Sequence, residues 1–268
     1  MKTLVIQSYR TRDVPSWIAR CLSSVRAWAE TRGYEHRLTD DSVFSLCGDE
    51  YLAQVGDNKR SITNLCRLEL IKLALAEGYE RAIWMDADIL VFAPDRLDFV
   101  PTERISFPRE TWLAPSSGTR WTARLTLNNC VVVCPRGDPD LDLIIQATRH
   151  RARHPVTDNL QVGVELVRGL HSFMMFPLLS NVGMFSNHAV TAIGEDHEEV
   201  IYLQAIHHGT PVYAANLCAS DHLSPVVPET MAHTAMDRLE RTAGDVVNGH
   251  LSTMGEPSRY PRARLILG

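Results

Sequence analysis

The sequence predicts an α/β domain on a mostly parallel central sheet flanked by helices, followed by a C-terminal tail. Two observations lead there. Short apolar runs of the buried-strand type, at residues 3–6 and 82–85, alternate with segments of helical spacing through the first ninety residues. Connections of helical length between strands give parallel neighbours. The predicted strands also end in polar residues, which sets the reactive groups at carboxyl ends of strands, where open α/β sheets bind ligands.

Residues 3–6 form the first strand, and Gln7, Ser8, Tyr9 and Arg10 stand at its end. Trp17, Cys21, Val25 and Trp28 then recur at helical spacing, Ile18, Leu22 and Ala29 widen the stripe, and Gly33 closes it. A second strand at 36–38 stops at Asp40 and Asp41, and a polar stretch of weak pattern runs to about Ser61. Leu65, Leu68, Ile71 and Leu75 mark an amphipathic helix ended by Gly78, which leads into the strand at 82–85. Beyond Pro94 the periodicity loosens. Pro108, Pro115 and Gly118 among several Ser and Thr predict a loop with short strands over 105–127. A strand at 130–134 ends in Pro135 to Pro139, and helices at 141–151 and 160–168, a strand at 173–176 and a helix at 200–207 follow. The basic cluster at 149–154 reads as a solvated helix end, because cations are favourable there without any ligand. From Pro225 the chain is polar and proline-punctuated, with Arg259, Arg262 and Arg264 near the terminus.

A length of 268 residues with 45% hydrophobic content suits one substantial core. The net charge of −5, with Lys and Arg scattered, gives no global pull toward nucleic acid. The apolar run after Met1 is too short for a signal peptide, and no stretch approaches the roughly 18 apolar residues of a spanning helix, so the expectation is a cytoplasmic protein with no transmembrane segment. Peripheral contact with a membrane stays open. Cys21, Cys47, Cys66, Cys130, Cys134 and Cys218 sit mostly in apolar patterns with no Cys-x-x-Cys spacing, which predicts buried thiols; Cys130 and Cys134 are expected to share one sheet face.

The most informative stretch is Trp84-Met85-Asp86-Ala87-Asp88-Ile89, two carboxylates one residue apart at the end of an apolar run. On an extended segment side chains at i and i+2 face the same way, so Asp86 and Asp88 are expected to present oxygens to one hard cation. A cation held by one or two carboxylates keeps positions open for a diphosphate.

These residues, together with Leu65-Cys66-Arg67 and Ala76-Glu77-Gly78-Tyr79, resemble the core of nucleotide-sugar glycosyltransferases of the GT-A (Rossmann-like) fold. Within that fold they look most like the glycogenin and lipopolysaccharide galactosyltransferase-like enzymes, with features of capsular polysaccharide glycosyltransferases. The resemblance covers roughly residues 1–185 as an order of motifs. It implies a GT-A domain over 1–224, with a nucleotide-binding half (1–100) and a sugar- and acceptor-binding half (101–224), and a tail (225–268) folding over the active site. It implies Mn2+ or Mg2+ on Asp86 and Asp88, and a nucleotide-sugar donor, a UDP-sugar first, contacted by Gln7, Ser8, Asp40, Asp41, Arg67 and Ala87. Leu127-Asn128-Asn129-Cys130 is similar to the family's Asn-Ser-Gly segment, which puts Asn128 at the donor sugar, with Cys130 in place of the glycine. Thr157-Asp158-Asn159 stands where the family often has Asp-Gln-Asp, so Asp158 is implied at the sugar hydroxyls and Asn159 near the anomeric carbon; a plain helix cap is the other reading of Asp158. A late histidine completes the metal site in the family. His250 in Asn248-Gly249-His250 is the candidate, with His207, His208 and His222 open.

The implied reaction transfers a sugar from a nucleoside diphosphate to an acceptor hydroxyl on a glycan, a lipid-linked sugar or a small molecule, with retention of anomeric configuration. Inversion requires a carboxylate base near the acceptor, for which Glu110 and Asp158 are the first candidates. A phosphatase of the haloacid dehalogenase type also begins an Asp-x-Asp after a strand, but usually near the N-terminus, not at residue 86. Nucleotidyl transfer needs a glycine-rich basic loop after the first strand, and Gln7-Ser8-Tyr9-Arg10 lacks one. A binding module that has lost catalysis is the non-enzymatic alternative.

Overall fold

The computed structural model describes residues 1–116, 121–156, 158–218 and 227–253. Strand β1 (Thr3–Ser8) is followed by helix α1 (Ser16–Thr31), β2 (Glu35–Thr39), a 3-10 turn (Asp41–Cys47), α2 (Asp49–Val55), α3 (Lys59–Ala76), β3 (Arg81–Met85) and β4 (Ile89–Val91). The second half carries β5 (Phe107–Pro115), β6 (Trp121–Leu127), β7 (Val131–Pro135), α4 (Leu141–Ala152), a 3-10 turn (Asn159–Val162) and α5 (Val164–Met174). It continues with β8 (Leu178–Leu179), β9 (Val182–Met184), α6 (Asn187–Glu195), α7 (Glu198–His208), β10 (Ala214–Asn216), α8 (Glu229–Arg241), α9 (Asp245–Asn248) and a 3-10 turn (Gly249–Thr253).

The central sheet has the order β2-β1-β3-β7. β1 pairs in parallel with β2 and β3, and β7 returns antiparallel beside β3. Both faces are covered, which is why these strands read as unbroken apolar runs. Leu4, Ile6, Ala82, Trp84, Val132 and Cys134 point to the face that packs on α3 and α4. Val5, Ile83, Met85, Val131 and Val133 point to the other, against Val25, Trp28 and Ala29 of α1. Trp28 is fully buried there, edge-on to Tyr34 and Phe99, and its Nε1 donates to the carbonyl of Leu97 at 3.0 Å.

Two small sheets extend this core. β4-β10-β9 joins an antiparallel and a parallel pair, and β6-β5-β8 is built on the long hairpin of β5 and β6. That hairpin occupies much of the stretch expected to be a loop. Its prolines sit at strand ends or edges: Pro115 closes β5, and Pro108 accepts from Asn128 N at 3.0 Å through its carbonyl without needing a donor. The expected strand at 173–176 is instead the end of α5, capped by Met175 in the left-handed conformation, and the strand begins later at Leu178. β9, α6 and β10 were hidden because three-residue strands and a nine-residue helix are too short for periodicity to show. α8 carries Ala235, Met236 and Leu239 into a third apolar cluster with α6 and α7, so a helix packs where the sequence read as a polar end.

All six cysteines are buried and outside any disulfide, as their apolar settings imply. Cys130 and Cys134 pack into different clusters, however, because β7 begins only at Val131 and residue 130 still belongs to the preceding turn. Among the described residues no helix is long and apolar enough to cross a membrane.

Candidate functional site

The register aligns the reactive ends of four strands. Ser8 lies beside Thr39, Ile6 beside Trp84 and Met85 beside Val131, so the residues after β1, β2 and β3 and those before β7 share one edge of the central sheet. Asp86 extends the ladder by one bond, its N–H donating to the carbonyl of Cys130 at 2.8 Å. The chain then turns. Ile89 N donates to Asp86 O at 3.1 Å, which places Ala87 and Asp88 at the two central positions of a tight turn. This corrects the expectation of an extended pair facing one way: β4 leaves the central sheet to pair with β10, and the turn between the sheets carries both aspartates.

Each carboxylate has a separate support. Asp86 Oδ1 accepts from Trp84 Nε1 at 2.6 Å and lies 3.3 Å from Arg67 Nη1, with the side chain 23% exposed. Burial pushes this carboxyl above its usual range, while the Arg67 charge and the Trp84 bond pull the other way. Asp88 is buried; its Oδ1 accepts from Asn216 Nδ2 at 2.6 Å, and its carbonyl accepts from Leu217 N at 3.0 Å. Asn216 is itself oriented by Cys218 N, which donates to its Oδ1 at 2.7 Å. Burial drives the Cys130 thiol well up, and the charges of Asp86 and Asp88 both add to the shift, so one sulfur feels both carboxylates.

Arg67 is buried on the site face of α3. It stacks over the Trp84 ring at 5.4 Å and donates to the carbonyl of Asn129, and its Nε reaches Thr63 O at 3.4 Å. One turn earlier Asn64 accepts from Asn129 Nδ2 at 3.2 Å. Gly163 packs so tightly on Asn64 that a Cβ there would overlap its amide, and this pins the segment after Asp158 to the same helix face.

The other candidates divide. Gln7 is fully buried and bridges the site from below: its Nε2 donates to Asp86 O at 3.3 Å and its Oε1 meets His36 Nε2 at 3.1 Å. Ser8 is half-buried at the sheet edge. Asp40 accepts from Ser42 N at 3.0 Å, and its hydrogen bonds to Ser42 hold it below the usual carboxylate range; Asp41 pairs with Lys59. Ala87 is half-buried in the turn. Asn128 faces inward, donating to Glu110 Oε2 at 2.6 Å and accepting from Cys130 N at 2.8 Å. Asp158 is exposed and caps the 3-10 turn by accepting from Leu160 N at 2.9 Å. Asn159 opens that turn, and its side chain lies outside the described residues, as do Thr157, His222, Arg259, Arg262 and Arg264.

His250 packs edge-on against Tyr202 of α7 with ring centroids 5.9 Å apart. It follows Asn248, which bonds both the N–H and the carbonyl of Val212, near the end of β10 opposite Asn216 and Asp88. Among the described residues no three His, Cys, Asp or Glu side chains gather as a metal site. Asp86 and Asp88 stand at the turn after β3, and His250 lies against α7.

Sequence reasoning missed Trp84, Asn64 and Asn216, the side chains that orient the site. Trp84 read as core because it stands in an apolar run, and Asn216 lies in a strand too short to be seen. It also missed what Glu110 does: at 1% exposure it receives Arg168 Nη2 at 2.7 Å, Arg124 Nη2 at 3.2 Å and Asn128, bracing the β5–β6 hairpin to α5 and to the start of β7. A carboxylate sealed under two guanidinium groups is not placed to take an acceptor proton.

A solved structure resembles this architecture. It is that of a glycosyltransferase involved in the glycosylation of the major capsid of PBCV-1, 10% identical with a TM-score of 0.51, and the match covers 89% of this chain and 98% of that one. The chain has the GT-A fold. The PaToxG glycosyltransferase matches more loosely, at 10% identity and a TM-score of 0.39 over 93% of this chain and 86% of that one. No family model matches the sequence, and no curated protein matches it. The Asp86–Ile89 turn thus sits in a GT-A domain where the central sheet hands over to the smaller β4-β10-β9 sheet.

Proposed function

We propose that this chain is a glycosyltransferase that moves a sugar from a nucleoside-diphosphate sugar, a UDP-sugar first, to an acceptor hydroxyl with the help of Mn2+ or Mg2+. The supporting observation is the turn that sets Asp86 and Asp88 at the carboxyl end of β3 beside a buried Arg67. The donor set fits a hard cation: both residues supply carboxylate oxygens, and burial keeps the neighbouring Cys130 thiol protonated. Such a cation, when bound, offsets the charge that develops on the departing diphosphate.

The chain's own groups account for the rest. Arg67 is fixed by the Asn129 carbonyl and the Trp84 ring, so its guanidinium needs no rearrangement to face a diphosphate oxygen. Asn64 and Asn129 hold each other beside it and orient hydroxyls of the sugar, and Asp158 lies on the segment that Gly163 locks to α3. Retention is the favoured stereochemistry. The sealing of Glu110 removes one of the two carboxylates that an inverting mechanism was expected to use as base.

A thermal-shift panel tests this reading. UDP with Mn2+ is expected to raise the melting temperature more than either alone, by mass action on the native state. Asp88→Asn keeps the bond partner of Asn216 but not the charge, so it is expected to abolish both the synergy and metal-dependent turnover of the donor. Equal shifts with and without the metal across all nucleoside diphosphates and nucleotide sugars would overturn the proposal.

A further inference from the structure

A cavity of about 380 Å3, lined by apolar and polar side chains together, lies against α6, within the range of small-ligand pockets. It opens between the start of β6, the face of α6, the start of α7 and Pro228 before α8. Asn187, Thr191 and Glu195 follow one another at i, i+4 and i+8, so a single row of α6 presents amide, hydroxyl and carboxylate to the space. His188 stands beside that row with its ring edge-on to Trp121 at 5.9 Å, and His197 adds a second imidazole from the helix junction. The side chains of Thr191, Glu195 and His197 line this space and make no hydrogen bond or ion pair with any other described residue.

The cavity's position ties it to the catalytic edge. Met184 lies opposite Asn216, the residue that holds Asp88, and Phe185 N donates to Asn216 O at 3.0 Å. Ser186 then anchors the start of α6 by donating to Leu113 O at 2.8 Å, and Asn187 follows. The three residues from Met184 to Asn187 span at most about 11 Å, so the row on α6 begins near the strand end that carries Asn216.

We infer that this cavity is the acceptor site and that the acceptor it takes is itself a carbohydrate, with one sugar ring laid on Trp121. This rests on the transferase reading above and names its second substrate. A pyranose has an apolar face of C–H groups with positive partial charge and a rim of hydroxyls. An indole face carries the complementary negative quadrupole, and Ala192 and Val200 add apolar wall. Thr191, Glu195 and the imidazoles of His188 and His197 together donate and accept, as a ring of hydroxyls requires, whereas a lipid chain offers them no hydrogen bond. The Glu195 carboxylate disfavours a phosphorylated acceptor.

The test is binding without transfer, which separates this inference from the transferase reading. Wild-type protein is titrated by calorimetry with the methyl glycosides of glucose, galactose, mannose and N-acetylglucosamine and with maltose and lactose, and is also passed over an oligosaccharide array. At least one carbohydrate is expected to bind. Trp121→Ala is expected to weaken it roughly three- to tenfold, the loss of one aromatic contact, and Trp121→Phe to restore most of it. The Ala variant is expected to keep the melting-point rise given by Mn2+ with UDP. Retention of no carbohydrate by the wild type, or binding that Trp121→Ala leaves untouched, overturns the acceptor assignment even if the donor binds normally. Loss of the UDP response in the wild type is instead a failure of the transferase reading.

Discussion

Glu110→Gln separates a structural carboxylate from a catalytic one. The substitution keeps an oxygen for Asn128 but removes the charge facing Arg168, whose side chain is 18% exposed, and Arg124, which is 56% exposed. The Arg124 pair is largely solvated, and its loss costs about 0–1 kcal/mol. The Arg168 pair is the larger effect. Breaking a buried pair costs about 3–5 kcal/mol, and the low end applies because Arg168 keeps some solvent and its bond to the Leu127 carbonyl at 3.0 Å. Burial already holds the Arg168 guanidinium below its ordinary value, against the pull of Glu110. A loss of about 3 kcal/mol lowers the melting temperature of a domain this size by roughly 6–12 °C. Calorimetric melting reads the effect, and Glu110→Gln with Arg168→Met is expected to recover part of it, since the isolated cation is then gone. A variant that melts within about 2 °C of the wild type, well below the worked loss, yet has lost transfer would refute the structural role and return Glu110 to the chemistry.

Other outcomes follow from the same geometry. Arg67→Met is expected to weaken UDP binding roughly 10- to 150-fold, the loss of one charge-assisted contact worth about 1.5–3 kcal/mol; Arg67→Lys rescues little, since a point charge cannot face a phosphate and hold the Asn129 carbonyl together. Calorimetric titration measures both, and an unchanged Kd in Arg67→Met contradicts the donor role. Gly163→Ala is expected to cost about 1–3 kcal/mol by overpacking, because the added methyl displaces Asn64, and denaturant unfolding reads it. His208 is buried, with Nε2–H donating to Ser180 O at 2.8 Å and Nδ1 beside Thr111 Oγ1 at 3.3 Å; burial, aided by the Arg109 charge, lowers its pKa below 6.5. The unfolded chain then binds the extra proton first, so this contribution is complete above pH 6.5 and declines as the pH falls toward the native value, with a slope of at most about 1.4 kcal/mol per pH unit. His208→Gln is expected to flatten the stability–pH curve below pH 6.5, and an unaltered slope counts against a neutral buried ring.

The order of strands and helices in the first ninety residues, and the place of the aspartate pair at a strand end, were legible in the sequence because both depend on local signals. Apolar runs report strands buried on both faces, and a 3.6-residue stripe reports a helix packed against them. The partners of the two carboxylates were not legible. Asp88 meets Asn216 across 128 positions, and Arg67 meets the Asn129 carbonyl across 62, and no short-range pattern encodes which distant residues a fold brings together. The turn at Asp86–Ile89 was misread as extended for the same reason: whether a chain continues in one sheet or crosses to another is decided by the strands waiting to pair with it, here β7 and β10. Tertiary packing likewise set His250 against Tyr202 and sealed Glu110 under Arg168, choices made by the burial of neighbouring segments rather than by those residues themselves.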